Sequence, residues 1–264
     1  MARKKRQKNL VLLLLLLFFL GAATLFALLW WENRTAELHR FTAFGIPLPS
    51  GFNIHGIDVS HYQQQIDWQE VRAMKPGGIQ LHFAFMKATE GVQLKDKTFR
   101  RNWEKTREVG IVRGAYHFFI ASQSGKVQAN HFIAQVQIKP GDLPPVLDVE
   151  KSFRVPKAKL IKGVKEWLQT VEAHYGVRPL IYTNVRFYER YLRGHFDDYP
   201  LWIAHYLQPH APRISRSWHF WQHSESGRVN GIPSQVDFNV FQGDTLAFKS
   251  ILITNGRSSS TASR

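Results

Sequence analysis

The sequence has no cysteine among its 264 residues, which excludes a disulfide scaffold, a thiol nucleophile and a cysteine-ligated zinc site. Acidic residues are scarce, with 20 Asp and Glu against 35 Lys and Arg, a formal net charge of +15. No glycine-rich loop follows a strand-like run, which counts against nucleotide binding, and no HExxH pattern accompanies the twelve histidines. No internal repeat of solenoid period is present. Neither a metal nor a cofactor is expected on these grounds. What remains is globular in composition, 44% hydrophobic and 21% charged, so wholesale disorder is excluded. The length suits one large domain or two small ones.

The charge surplus begins at the N-terminus. Residues 3–8 read RKKRQK, five positive charges in six positions, and an uncharged run of 22 residues follows from Leu10 to Trp31. A helix of that length spans roughly 33 Å, enough for a bilayer core. Trp30 and Trp31 close the run, where aromatic side chains suit the interface. Gly21-Ala22-Ala23 is the kind of sequence a signal peptidase cleaves, and a signal peptide is the competing reading. The apolar run continues eight residues past it, which favours an uncleaved single-pass anchor. Residues 1–9 are then expected in the cytoplasm, 10–31 in the membrane, and the rest outside the cytoplasm. Residues 32–53 hold Pro47, Pro49, Gly45 and Gly51 without a clear period and read as a tether. Residues 251–264 read as a disordered tail, Ser-rich from Asn255 onward.

Between residues 54 and 250 short apolar runs alternate with amphipathic stretches. Strands are predicted at GIDVS (56–60), IQLHFAFMKA (79–88), IVRGAYHFF (111–119), LPPVLDVE (143–150) and PLIYT (179–183). Helical spacing separates them at 66–74, 97–110, 125–136 and 157–176, the last stopped by Gly176. After residue 190 the helical period fades, while LWIAHY (201–206), SWHFWQH (217–223) and VDFNVF (236–241) are strand-like. The repeated βα pattern argues an α/β fold, an irregular (β/α) barrel of about eight strands and five helices, with an open doubly wound sheet as the alternative.

The polar residues carry the chemistry. Asp58 sits inside the first strand, Glu90 ends the second, and Asp148 and Glu150 end the fourth. In a parallel β/α barrel the C-terminal strand ends form the active face, so these four converge there. Asp237 fits less well, because it is early in its strand. Asp148 and Glu150 are two apart and share a strand face, with Cα atoms about 6.6 Å apart. Two carboxylates so close in apolar surroundings do not both ionise cheaply, and one pKa rises. A raised carboxyl beside an ionised one is a kit for cleaving a glycosidic bond. Tyr62, Tyr116, Tyr182, Trp202, Tyr206 and Trp221 lie near predicted strand ends, where flat rings stack on sugar faces. His117 and His205 are further candidates for lining the cleft.

Eight motifs in order carry a resemblance: GIDVSHYQ…IDW (56–68), FAFMKATEG (83–91), GAYHF (114–118), LPPVLDVE (143–150), PLIYT (179–183), YPLWIAHY (199–206), FWQHSESGRVNGI (220–232) and VDFNVFQG (236–243). Together, over about residues 54–245, they resemble glycoside hydrolase family 25, the lysozymes of bacteria, phages and fungi. The resemblance implies an N-acetylmuramidase acting on the β-1,4 bond between N-acetylmuramic acid and N-acetylglucosamine in peptidoglycan, on an irregular β/α barrel. It implies Glu150 as proton donor, Asp148 as its partner, Asp58 and Asp237 as further cleft acids, and Glu90 as a substrate-side residue. Tyr62 stands where tryptophan is common in the family. A membrane-anchored form suits the periplasmic side of a bacterial inner membrane. A chitinase-like hydrolase and a catalytically silent wall-binding module are the alternatives. Without RKKRQK and the two tail arginines, 28 basic residues face 20 acidic ones. That surplus suits an anionic wall polymer or membrane surface. Nothing resembles a recognition helix or an RNA platform, so no nucleic-acid partner is expected.

Overall fold

A computed structural model describes residues 2–39, 42–208 and 210–254. The chain opens with helix α1 (Ala2–His39), which carries the apolar run; Asn9–Trp31 is long and apolar enough to cross a membrane, and none of it is buried in the protein. The helix extends into the segment expected as a tether. The second half of that segment packs on the body of the protein. Phe44, Ile46 and Leu48 are buried, the Phe44 ring lies 5.1 Å from that of Phe238, and the Arg228 N–H donates to the Phe44 carbonyl at 2.8 Å. Phe44 ends a short 3-10 turn, and beyond it Pro47 and Pro49 hold Ile46 and Leu48 extended, so these two side chains share one face.

Among the described residues nine strands follow: β1 (His55–Val59), β2 (Leu81–Glu90), β3 (Leu94–Lys95), β4 (Val112–Phe118), β5 (Val146–Asp148), β6 (Leu180–Asn184), β7 (Leu201–Ala204), β8 (Phe220–Gly227) and β9 (Val236–Phe241). All but β3 form one closed barrel in the order β1-β9-β8-β7-β6-β5-β4-β2, shut by the β1–β2 pairing. Neighbours are parallel except β9, which runs antiparallel to both β8 and β1. The two-residue β3 is a flap on the end of β2. Helices α2 (Trp68–Ala73), α3 (Phe99–Glu108), α4 (Gly125–Gln135) and α5 (Lys157–Tyr175) cover the first strands. Among the described residues, the second half is covered by the short α6 (Val185–Phe187) with the π-turn Tyr188–Leu192, and by α7 (Thr245–Ile251). The expected tail at 251 therefore starts inside α7, and Ile253 still exchanges backbone hydrogen bonds with Gly141 and Asp142. The Ser-rich residues 255–264 lie outside the described residues.

Two cores result from the two-residue period of the strands. Outward side chains such as Ile57, Ala115, Leu147, Ile181 and Ile203 meet the helices, where α5 contributes Leu160, Val164, Trp167, Leu168 and Val171. Inward side chains fill the barrel with aromatic rings: Phe85 stacks on Trp202 at 4.3 Å, and Phe83, Phe220 and Phe241 interlock at about 5 Å with Phe248 of α7 beneath them. Rings of this size fit because Gly56 and Gly114 face Phe83 and Phe85; a Cβ at either position would lie 2.4–2.5 Å from a ring carbon. The lower barrel is thus solid and apolar, and only its upper end is open to polar chemistry.

Helices α4 and α5 also approach closely. A Cβ on Gly125 would lie 2.0 Å from the Gly163 carbonyl oxygen, a backbone atom that no side-chain rotation clears. Gly125→Ala is expected to lower the unfolding free energy by about 1–3 kcal/mol in urea titration, with the cleft chemistry unchanged.

Candidate active site

The upper end of the barrel holds a cleft of about 480 Å³, lined by Asp58, Asp148, Glu150, Asp237, Glu90, Lys87 and a set of aromatic rings. Asp58 is the fourth residue of β1 and points inward with Gly56, into a site that leaves it 7% exposed. Two amides compensate the lost water. Asn239 Nδ2 and Gln222 Nε2 donate to Asp58 Oδ2 at 2.7 and 2.8 Å. Each amide oxygen is occupied in turn: Trp202 Nε1 donates to Asn239 Oδ1 at 2.7 Å, and the Tyr182 and Tyr206 hydroxyls both donate to Gln222 Oε1 at 2.7 Å. Burial pushes the hydroxyl pKa of Tyr116, Tyr182 and Tyr206 up, so all three remain protonated.

Asp237 faces Asp58 across the β1–β9 ladder and is hydrogen-bonded to it. Its early place in the strand brings it to the mouth because β9 runs antiparallel to β1: the start of β9 lies at the end where the parallel strands finish. Burial, then the Asp58 charge and the hydrogen bond to Asp58, push the Asp237 carboxyl up to about 9. Burial also raises Asp58, but the Asn239 and Gln222 donors oppose the rise. At neutral pH Asp237 therefore keeps its proton and donates it to Asp58.

Asp148 ends β5 and Glu150 lies two residues on, so both face the cleft while Leu147 and Val149 face the helices. Burial raises both carboxyls, and Glu150 adds repulsion at Asp148. Lys87 and Lys151 partly offset the rise at both positions. Among the described residues, Asp148 Oδ1 is buried without a hydrogen-bond partner. Lys87 Nζ contacts Glu90 Oε2 at 2.6 Å and lies 4.9 Å from the Phe118 ring, so Glu90 borders the cleft through an ion pair.

Of the expected aromatic residues, Tyr116, Tyr182, Trp202 and Tyr206 line the cleft, and Tyr62 stands at its rim, 72% exposed. Two expectations are corrected. His117 follows the inward Tyr116 and points outward; it is fully buried, with Nδ1 2.7 Å from Thr89 Oγ1, Nε2 3.2 Å from Gln128 Oε1, and its ring on Trp167. Burial lowers its pKa to about 3, so it is a neutral core residue. Trp221 likewise follows the inward Phe220; it is fully buried, packs on Phe52 and Trp218, and its Nε1–H donates to the His205 carbonyl. His205 itself lines a neighbouring pocket that shares Glu150, Tyr182 and Tyr206 with the cleft. The site residues that sequence reading missed are Gln222, Asn239, Lys87 and Lys151. The first two were within reach, because they share strand parity with Phe220 and Asp237.

The Asp58–Asp237 pair makes stability depend on pH. The Asp237 carboxyl keeps its proton to about 9 in the folded protein, against the ordinary value of 3.8. Its contribution is therefore complete below 3.8 and is lost as pH rises from there through about 9. Asp237→Asn retains a donor for Asp58 and removes the titration. It is expected to raise stability at pH 8 by about 1–2 kcal/mol, a figure discounted for solvent at the cleft mouth, and to flatten the decline between pH 5 and 8 in urea titrations.

Comparison with known proteins places this site in a family. The family model for glycosyl hydrolases family 25 matches residues 57–232. YegX of Escherichia coli is 49% identical over 201 residues, covering 76% of this chain and 74% of its own. Lysozyme M1 of Streptomyces globisporus is 34% identical over 208 residues, 72% of this chain and 68% of its own. A solved family 25 glycosyl hydrolase from Bacillus anthracis superposes with a TM-score of 0.72 at 31% identity, over 78% of this chain and 96% of that one. Barrel, ordered motifs and sequence identity agree, and the chain belongs to glycoside hydrolase family 25.

Proposed function

We propose that this glycoside hydrolase is a membrane-anchored N-acetylmuramidase, cleaving the β-1,4 bond between N-acetylmuramic acid and N-acetylglucosamine in peptidoglycan. The observation that carries the reading is the Asp148–Glu150 pair. Two carboxyls with raised pKa lie side by side at the open end of the barrel, in a cleft walled by aromatic rings. The relatives named lysozyme support the choice of peptidoglycan over chitin.

Glu150, the less buried of the two, is assigned as proton donor to the glycosidic oxygen. As the bond from that oxygen to the anomeric carbon breaks, the carbonyl oxygen of the sugar's own acetamido group closes on the anomeric carbon. Asp148 accepts the acetamido N–H and stabilises the positive charge. Substrate assistance of this kind is a known variant of the two-carboxylate scheme. In the free site the deeper Asp148 is the harder of the two to ionise. An arriving amide N–H gives Asp148 Oδ1 the donor it lacks and favours its charged form, leaving the proton on Glu150. Water, deprotonated by the Glu150 carboxylate, then opens the ring. The hydrogen bonds from two amides and Asp237 favour the charged form of Asp58, which adds negative potential beneath the developing charge.

Glu150→Gln is expected to lower kcat by at least about 10³-fold while leaving the circular dichroism spectrum and urea midpoint unchanged. Mass spectrometry of fragments released from purified peptidoglycan should find muramic acid at the new reducing ends. N-acetylglucosamine at those ends, or undiminished turnover by Glu150→Gln, would refute the assignment.

The anchoring part of the proposal rests on RKKRQK followed by the apolar Asn9–Trp31 segment. The basic cluster stays in the cytoplasm, and the barrel lies on the periplasmic side of a bacterial inner membrane. The full chain should remain in the membrane pellet after an alkaline carbonate wash, and a chain lacking residues 2–31 should not. A mature protein whose mass begins near residue 24 would show cleavage and overturn the anchor.

A further inference from the structure

The turn between β5 and α5 breaks a local rule beside the catalytic pair. Ser152-Phe153-Arg154-Val155 is closed by the Val155 N–H donating to the Ser152 carbonyl at 3.0 Å, and both central residues have positive φ, 49° at Phe153 and 60° at Arg154. Turns with two such residues are ordinarily filled by Asn-Gly, because a Cβ is strained there. An aromatic and an arginine at both positions carry that strain in full. The ring gains little in return from packing: Phe153 is 41% exposed and belongs to neither apolar core. What it does face is the cleft, whose wall it forms with Phe118, Ile120 and Lys151, three residues beyond the expected proton donor. Strain kept at a rim where it does not serve the core is a mark of a functional position.

We infer that Phe153 is a sugar-binding platform, the floor of a subsite for a pyranose of the glycan strand beyond the two rings that flank the scissile bond. This rests on the glycan-hydrolase reading above. An exposed flat ring offers a pyranose the apolar C–H face it needs, while the sugar's hydroxyl and acetamido groups remain free for the polar side chains nearby. Tyr62, exposed on the loop after β1, is three positions away round the barrel ring and supplies the other wall. The positive φ at Phe153 turns the chain tightly enough to hold the ring at the rim, where a relaxed turn would let it fold back toward the core.

The test uses Phe153→Ala, Phe153→Gly and Phe153→Tyr in an otherwise intact chain. Affinity for solubilised glycan strands and for a short oligosaccharide is measured by calorimetry in the Glu150→Gln background, and KM and kcat in the native one. Loss of the ring should weaken binding of long strands about tenfold and raise KM alike, leave kcat within about twofold, and change short-oligosaccharide binding little. Phe153→Tyr should bind as the unmodified chain does. Phe153→Gly should melt about 2–4 °C above Phe153→Ala, since both lack the ring and only glycine relieves the φ. Equal affinity for long strands with and without the ring, or an equal loss on short and long ligands, overturns the platform. A chain that binds strands but releases no reducing ends refutes the proposed reaction instead, and the affinity series still decides the platform.

Discussion

A closed barrel of eight strands leaves no room for water among its inward side chains, so an inward polar group must find a partner in the protein or sit at an open end. Much of the structure follows from this. Below the middle of the barrel every inward position is glycine or apolar, and Phe83, Phe85, Phe220 and Phe241 exclude solvent completely. Above it, Asp58 is buried, and Asn239 and Gln222 replace the water it has lost. Those amides in turn require Trp202, Tyr182 and Tyr206 to satisfy their oxygens. Residues drawn from five strands are thereby bound into one network whose geometry the packed rings beneath make rigid.

That network divides the acids into two pairs in different surroundings. Asp58 and Asp237 are tied to each other and to neutral donors, and burial with the neighbouring Asp58 raises the Asp237 carboxyl. Asp148 and Glu150 are less completely satisfied, with Asp148 Oδ1 lacking a partner among the described residues. A pair left short of hydrogen bonds in the free protein is one whose protons a substrate can redistribute. Lys87 and Lys151 stand near this second pair, and their charges partly offset the rise at both Asp148 and Glu150.

The sequence was most legible where one side-chain type repeated with a strand or helix period. Strands β1, β2, β4, β5 and β6, the four principal helices and the acids at strand ends follow from apolar periodicity together with the placement of Asp58, Glu90, Asp148 and Glu150. Legibility failed where a choice between two faces was needed. His117 and Trp221 are chemically suited to a sugar cleft and adjacent to residues that line it, yet each is one residue off the inward parity. The 42–54 segment failed for a different reason: prolines and glycines suggested a tether, while Phe44, Ile46 and Leu48 pack on the barrel.

By itself the sequence determined the α/β class, the family and the identity of the acids, because these depend on order and spacing along the chain. It also determined the apolar N-terminal segment, since length and composition suffice for that. Tertiary structure decided the rest. Asp237 reaches the site only because β9 runs antiparallel, which pairs its first turn of chain with the last residues of β1. Gln222 and Asn239 become acid-holding groups only once β8 and β9 lie beside β1 in the closed ring. The pKa of each acid depends on how much water the assembled barrel leaves it, a quantity that exists only when residues distant in the chain are packed together.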